Sequence, residues 1–334
     1  MSNTGFPPPL HIVTPIFNPR RFERRYELYR HFEKQVKDSG AILWTVELAL
    51  HERPFEVTES NNPHHIQLRS DDEWFVKENL INIGISRLPF EVKYFAWCDC
   101  DIKFINVNWA TETIQMLQHH PIVQMFSQVV NLSPKDEAFQ LWNGFAYSHQ
   151  TGRPYRPIGG DYNYWHPGFA WAYRREAFDA VGGLMEQIPL GSADSHMAGA
   201  LIGKTCDTVH GRMPQVFKDY CFAWEAHAQK FLKHHGQTIG HVPGLLGHYW
   251  HGRMKDRKYK ERWDILVEHK FNPYTDMIRG TNNLWRIADH KYGLRLDIQT
   301  YLANRNEDCI WFNKCESTIN QLLNNGSEPG DIKR

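Results

Sequence analysis

The run Tyr94-Phe95-Ala96-Trp97-Cys98-Asp99-Cys100-Asp101, continuing through Ile102-Lys103-Phe104-Ile105, decides how the rest of the sequence is read. An apolar stretch that ends in two carboxylates looks like a buried strand whose carboxyl end opens onto a site. On a strand, residues i and i+2 point to one side, so Asp99 and Asp101 are expected on one face. Two carboxylates beside four apolar residues are costly to desolvate unless a cation sits between them. The plainer alternative is a solvated strand end with no ligand.

Working outward, the first hundred residues alternate strand and helix. HIVTPIF (11–17) is an apolar run that ends in Asn18-Pro19. Residues 20–38 place Phe22, Tyr26, Tyr29, Phe32 and Val36 at helical spacing, and Ser39-Gly40 stops them. AILWTVELAL (41–50) reads as a second buried strand and residues 73–87 as a second helix. This order predicts an α/β fold with an open sheet. Further strands are expected at 121–131, 168–174 and 239–252, a helix at 213–233, and a charged helical segment from 254 onward. The stretch 132–166, rich in Gly, Pro, Tyr and Trp, is too long for a passive connector.

Composition narrows the function. The 334 residues carry 38 Lys+Arg against 38 Asp+Glu, which argues against a surface given over wholly to a polyanion. Six cysteines are too sparse for a disulfide framework, and Cys98-x-Cys100 lacks a partner pair for zinc. The N-terminus shows no signal-peptide pattern, and no apolar run approaches the ~20 residues that span a bilayer. The chain therefore reads as a cytoplasmic protein with no membrane span. Nineteen histidines and twelve tryptophans are the compositional hint of a site.

Two of those histidines end another apolar run, His248-Tyr249-Trp250-His251-Gly252. Two imidazoles and a carboxylate can hold Mn²⁺ with positions left open for diphosphate oxygens. Chance is the competing account of an H-x-x-H in so histidine-rich a chain. Arg253, Lys255, Arg257, Lys258, Lys260 and Arg262 follow, against only Asp256 and Glu261. That excess suits phosphate oxygens, although a solvated helix face would look similar.

Five blocks, in order, resemble the GT-A fold of nucleotide-sugar glycosyltransferases, and the β-1,4-galactosyltransferase type in particular. Lys77-Glu78-Asn79-Leu80-Ile81-Asn82-Ile83-Gly84 is similar to that family's R-x-K-L-L-N-V-G helix, and Phe95 to Asp101 to its F-x-x-D-V-D strand. Pro167-Gly168-Phe169-Ala170 through Gly182-Gly183 resembles its F-G-G-V segment and N-G-F turn. Gly191-Ser192-Ala193-Asp194-Ser195-His196 resembles its G-G-E-D-D-D block, with Ala193 where the family has Glu. His248 to Asp256 resembles its metal loop, M-x-x-H-S-R-D-K-K, with His248 in place of the methionine. The text also looks like glycosyltransferases encoded by bacteriophages.

The resemblance implies a mixed sheet flanked by helices, a catalytic domain over 1–262, a helical C-terminal extension over 263–323 packed on it, and a disordered tail at 324–334. It implies a metal site of Asp101, His248 and His251 for Mn²⁺ or Mg²⁺, with Asp194 as the base that deprotonates an acceptor hydroxyl. Asp194 also fits the plainer role of a helix cap. Donor contacts are expected from Thr14, Pro15, Phe17, Lys77, Asn82, Asp99, Gly168, Arg253, Lys255 and Arg257. Acceptor contacts are expected from Tyr164, Trp165 and His196; core packing competes for the aromatic ones. The implied reaction moves a sugar from a nucleotide diphosphate, most simply a UDP-sugar, with inversion, to a glycan or a hydroxylated DNA base. The setting is a bacterial or phage-infected cell. Two other functions suit the same residues: a metal-dependent diphosphate or phosphoester hydrolase, and a non-catalytic sugar-nucleotide-binding protein.

Overall fold

A computed structural model describes residues 8–157, 164–253, 256, 258 and 261–308. The expected parallel start is present. Strand β1 (His11–Phe17), helix α1 (Glu23–Asp38), β2 (Ile42–Leu50), β3 (His65–Ser70), α2 (Lys77–Ser86) and β4 (Tyr94–Cys98) follow in order. β1 pairs in parallel with β2 and β4, and β2 with β3.

The acidic run corrects the expected single strand over 94–105. β4 stops at Cys98, and Ile102–Phe104 forms a separate strand, β5, in another sheet. Asp99 and Asp101 therefore lie in a turn between two sheets and do not share a strand face. The break has a cause in pairing. Beyond Cys98 the Asp99 amide donates to the Phe169 carbonyl, while Ile102–Phe104 pairs with the strand that carries His248.

The later chain completes both sheets. It runs α3 (Trp109–His119), β6 (Ile122–Gln124), β7 (Gln128–Leu132), β8 (Ala138–Gly144), α4 (Phe145–Gln150), β9 (Trp165–His166) and β10 (Ala170–Arg174). Then come α5 (Arg175–Val181), α6 (Ala193–Leu201), α7 (Gln215–His234), β11 (Gly240–His241) and β12 (Leu245–His248). The larger, mixed sheet has seven strands in the order β11-β6-β10-β4-β1-β2-β3, with β10 antiparallel to both neighbours. The smaller has the order β5-β12-β7-β8-β9. The run expected as one strand at 121–131 is thus two, one in each sheet.

Alternation along the strands builds two cores. Val13, Phe95, Trp97, Trp171 and Tyr173 face one side, where α2, α5, α6 and α7 supply Leu80, Ile81, Phe178, Met197 and Phe217. Ile12, Ala96, Cys98, Ala170 and Ala172 face the other, covered by Phe32 and Val36 of α1 and Trp109, Ile114 and Leu117 of α3. The α/β class with a mixed sheet flanked by helices is what the sequence predicts.

The C-terminal part is less uniformly helical than expected. It holds α8 (Arg262–Glu268), α9 (Pro273–Asp276), a hairpin of β13 (Met277–Arg279) and β14 (Trp285–Ile287), and α10 (Tyr292–Ala303). Leu266, Phe271, Ile287, Leu294, Ile298 and Leu302 bury themselves in the same core as Val13 and Trp97. The expected tail, and the extension beyond residue 308, lie outside the described residues. No helix among the described residues is long and apolar enough to cross a membrane.

Gly84 shows how tightly α2 sits on the sheet. A Cβ there would meet Val13 Cγ1 at 2.5 Å and Val46 Cγ2 at 2.8 Å. Both are stiff β-branched side chains in the sheet, so the overlap outweighs the ~1 kcal/mol that alanine gains over glycine in a helix. Gly84→Ala should lower stability by about 1–3 kcal/mol. Chemical denaturation is the check, and an unchanged or raised midpoint would contradict this packing.

Candidate active site

A cleft of about 940 Å³ opens where the strands of the larger sheet end and the smaller sheet begins. Its wall includes Pro15, Phe17, Lys77, Asp99, Asp101, Tyr164, Gly168, Asp194, His248 and His251. All of these are positions singled out from the sequence.

Asp101, His248 and His251 converge, their candidate ligand atoms lying within 4.8 Å of one another. His251 Nε2 is 2.9 Å from Asp101 Oδ2, His248 Nε2 is 3.9 Å from the same oxygen, and the two Nε2 atoms are 3.2 Å apart. Each ring is held from behind. His248 Nδ1 lies 2.7 Å from Asn131 Oδ1, and His251 Nδ1 lies 3.5 Å from Glu307 Oε2. With each ring proton on Nδ1, toward these oxygens, both Nε2 atoms would present lone pairs to one point that a carboxylate oxygen also faces. This donor set suits a divalent cation such as Mn²⁺ and has the outer partners that orient metal-binding imidazoles. The β5–β12 pairing supports it, because His248 is in register with Ile102 and the Tyr249 amide donates to the Asp101 carbonyl.

Asp99 takes a different partner. Lys77 Nζ, at the first position of α2, lies 2.6 Å from Asp99 Oδ1 and 4.7 Å from the centre of the Trp97 ring. Burial works against the Lys77 charge, but Asp99, Asp194 and Glu78 together outweigh it and hold its pKa above the ordinary lysine value. Burial pushes the Asp99 carboxyl up to about 6; Lys77 opposes that shift and Asp101 adds to it. Glu78, also on the cleft wall, is pushed up to about 7, chiefly by burial.

Asp194 stands in the first turn of α6. Its Oδ1 accepts from the Ser195 amide at 2.8 Å, a local helix-start contact. Its Oδ2 faces Gly168, where a Cβ would lie only 2.7 Å away. The preceding turn is tight, with Gly191 and Ser192 both at positive φ, and Arg262 Nη2 donates to Ser192 Oγ.

Several expected contacts go elsewhere. Thr14 is fully buried, and its hydroxyl donates to the Cys98 carbonyl, tying β1 to β4. Asn82 holds the Leu184 backbone and Glu186. Trp165 is buried edge-to-face between Phe145 and Tyr155. His196 is fully buried, beside Thr208, Phe217 and Trp263. None of these four lines the cleft; apolar neighbours took the aromatic rings into the core. Arg253 pairs with Asp256 at 3.1 Å and is likewise absent from the cleft wall. Lys255 and Arg257 lie outside the described residues.

Tyr164, expected as an acceptor contact, belongs to an aromatic column that the sequence does not otherwise mark. His166 stacks on Phe169, with centroids 4.0 Å apart and planes at 2°, and on Trp142 at 5.2 Å and 15°. Tyr164 meets both Trp142 and His166 edge-on. The stretch 132–166 was expected to be functional, and it supplies three of these rings. The sequence reading missed Asn131, Arg25 and Glu307, which no local motif marks. Glu307 is buried, a cost that Arg25 and Arg305 more than offset, so its pKa falls well below the ordinary value.

The comparisons with known proteins stand beside this geometry. No family model matches the chain. No curated protein matches it either. Among solved structures, the catalytic domain of Drosophila beta1,4galactosyltransferase 7 complexed with xylobiose aligns over 86% of this chain and 98% of its own, at 14% identity and a TM-score of 0.36. A mutant of that enzyme with manganese, UDP-Gal and xylobiose aligns over the same shares at 13% identity and a TM-score of 0.38. TarS from S. aureus aligns over 58% of this chain and 55% of its own, at 9% identity and a TM-score of 0.37.

His166 gives a direct check on the site. The Gly168 amide donates to its Nδ1 at 3.2 Å, so the proton of the neutral ring must sit on Nε2. Burial pushes its pKa down to about 3. Long-range ¹⁵N–¹H NMR should show one histidine locked as the Nε2–H tautomer with no titration between pH 5 and 8. That signal should vanish in His166→Gln. Titration of this ring near pH 6.5 would show that the column is open to water.

Proposed function

We propose that this chain is a metal-dependent glycosyltransferase of the GT-A type. It takes a sugar from a nucleotide-diphosphate donor, most simply a UDP-sugar, and gives it to an acceptor hydroxyl. One observation carries the reading. Three residues that could hold a cation, an ion-paired Lys77–Asp99 and a third carboxylate, Asp194, face one cleft at the strand ends. Strand-end clefts of open α/β sheets are where nucleotides bind.

The roles follow from charge and position. Asp101, His248 and His251 would hold Mn²⁺ or Mg²⁺, which when bound supplies the positive charge that stabilises a leaving nucleoside diphosphate. Lys77 neutralises Asp99 and leaves that carboxylate oriented to accept hydrogen bonds from the donor's ribose or sugar hydroxyls. Pro15 and Phe17, at the carboxyl end of β1, form the apolar wall for the base. Asp194 takes the proton of the attacking acceptor hydroxyl, which is a poor nucleophile without a base. Attack from that side gives inversion. Tyr164, half-buried on the cleft wall and met edge-on by Trp142 and His166, offers a ring to an acceptor, whether a sugar or a hydroxylated base. A plain hydrolase would need neither a base poised for an acceptor nor such a ring.

Binding and turnover separate these roles. UDP should bind more tightly with Mn²⁺ than with EDTA, and the double change His248→Ala, His251→Ala should erase that difference. Asp194→Asn should retain Mn²⁺-dependent UDP binding but lose transfer by roughly 10²–10⁴-fold. Gly168→Ala should also cut transfer by about 10²-fold, because its Cβ displaces the Asp194 carboxylate. Calorimetry of UDP binding and a donor-consumption assay with candidate acceptors are the measurements. UDP affinity indifferent to Mn²⁺ would sink the assignment, and salt-insensitive failure to bind duplex DNA would leave the glycan as acceptor.

A further inference from the structure

Behind His251 lies a segment that comes from far away in sequence. Residues 304–308 follow α10, and Glu307 among them brings a buried carboxylate to 3.5 Å from His251 Nδ1. Arg25 grips that carboxylate at two points, with Nε 2.5 Å from Oε2 and Nη2 2.7 Å from Oε1. Arg305 Nε stands 3.1 Å from Oε1. A group paired with two guanidinia is a carboxylate, and a carboxylate only accepts hydrogen bonds. Asp101 Oδ2 lies 2.9 Å from Nε2 on the other side of the ring, so a cation that takes up Nε2 and Asp101 leaves the ring proton on Nδ1, where Glu307 is placed to accept it.

The segment is tied down on either side of Glu307. Asp308 accepts from the Glu23 and Arg24 amides at 3.1 and 3.0 Å, capping the start of α1 with negative charge. Gly252, next to His251, presses on the segment so closely that a Cβ would meet the Asn306 carbonyl oxygen at 2.5 Å and Glu307 Cα at 3.0 Å. Gly252 also has φ +95°, a conformation that favours glycine. α1 touches the same loop, since Arg24 Nε donates to the Trp250 carbonyl at 3.1 Å.

We propose that Glu307 is a positioning residue of the cation centre: it fixes the tautomer and aim of His251, so segment 304–308 is part of the site, and cation binding and docking of the segment strengthen each other. This rests on the reading above that the triad holds a divalent cation. The reciprocity is a thermodynamic requirement. Whatever the docked segment adds to cation affinity, the cation adds to the stability of docking.

Mn²⁺ affinity, read from free Mn²⁺ by electron paramagnetic resonance, tests it in the full chain without any sugar. Glu307→Ala should weaken Mn²⁺ binding by roughly 10–100-fold, as loss of a partner to a metal-bound histidine commonly does. Glu307→Gln keeps an acceptor oxygen and should lose less. An affinity for Glu307→Ala within twofold of wild type overturns the inference. Because that change leaves two guanidinia unpaired, the unaltered chain supplies a second readout. Hydrogen exchange at the amides of 304–308 should slow on adding Mn²⁺, and His251→Ala should abolish the slowing. Exchange that ignores Mn²⁺ also overturns it. Glu307-sensitive Mn²⁺ binding in a chain that transfers no sugar upholds this inference and sinks the transferase reading. A wild-type chain that binds no Mn²⁺ overturns both.

Discussion

Two imidazole nitrogens 3.2 Å apart, facing one carboxylate oxygen, form the contact around which the cleft is organised. Three potential ligand atoms do not converge in this way without a constraint. Here the constraint is the backbone. β4 ends at Cys98, Ile102–Phe104 leaves for the second sheet, and its pairing with β12 puts His248 in register with Ile102. Asp101 and the two histidines are thus fixed by strand pairing, and Asn131 and Glu307 set the direction in which the rings point. Removing Asn131 or Glu307 would leave the rings in place but free to turn; unpairing β5 from β12 would remove the site.

The same break separates the two carboxylates of the acidic run. Had 94–105 continued as one strand, Asp99 and Asp101 would share a face and repel each other. In the fold they diverge, Asp101 toward the histidines and Asp99 toward Lys77. The net charge of zero therefore hides a local balance. Lys77 offsets Asp99, while Arg25 and Arg305 offset Glu307, so two of the carboxylates on the cleft wall bring their own counter-charges. Such pairs add little net stability, but they hold the groups they join in one position.

Residues whose chemistry is written in adjacent letters were legible beforehand. Asp99, Asp101, His248 and His251 sit in short motifs at strand ends, where local pattern points to a site, whereas Lys77 and Asp194 were marked only by the family resemblance. What stayed hidden depends on long-range packing. Glu307 reaches Arg25 across 282 residues and no periodicity announces it. Thr14 has the right position along β1 but the wrong face; the Cys98 carbonyl claims its hydroxyl and a neighbouring strand covers it. Trp165 and His196 were ambiguous between core and cleft, and the competition for buried apolar volume settled that for the core. The strand over 94–105 was misread because apolarity continues across a point where the pairing partner changes.

Phe169 shows why that kind of information is missing from local sequence. Its φ of +76° is costly for a residue with a side chain, about 1–3 kcal/mol. Glycine would avoid the cost, yet the position carries a ring. That ring lies flat on His166 at 4.0 Å, tilts against His248 of the candidate triad at 4.7 Å, and lies against Phe126 at 6.1 Å between ring centres. Its carbonyl receives the Asp99 amide at 2.8 Å, at the point where β4 ends. A glycine here would relax the backbone and remove a surface that His166 and His248 share. The strained residue thus joins three things that the sequence presents separately: the end of the strand, the candidate triad and the aromatic column. An aromatic side chain held in a left-handed conformation is stable only where its contacts outweigh the strain, and here those contacts are the site itself.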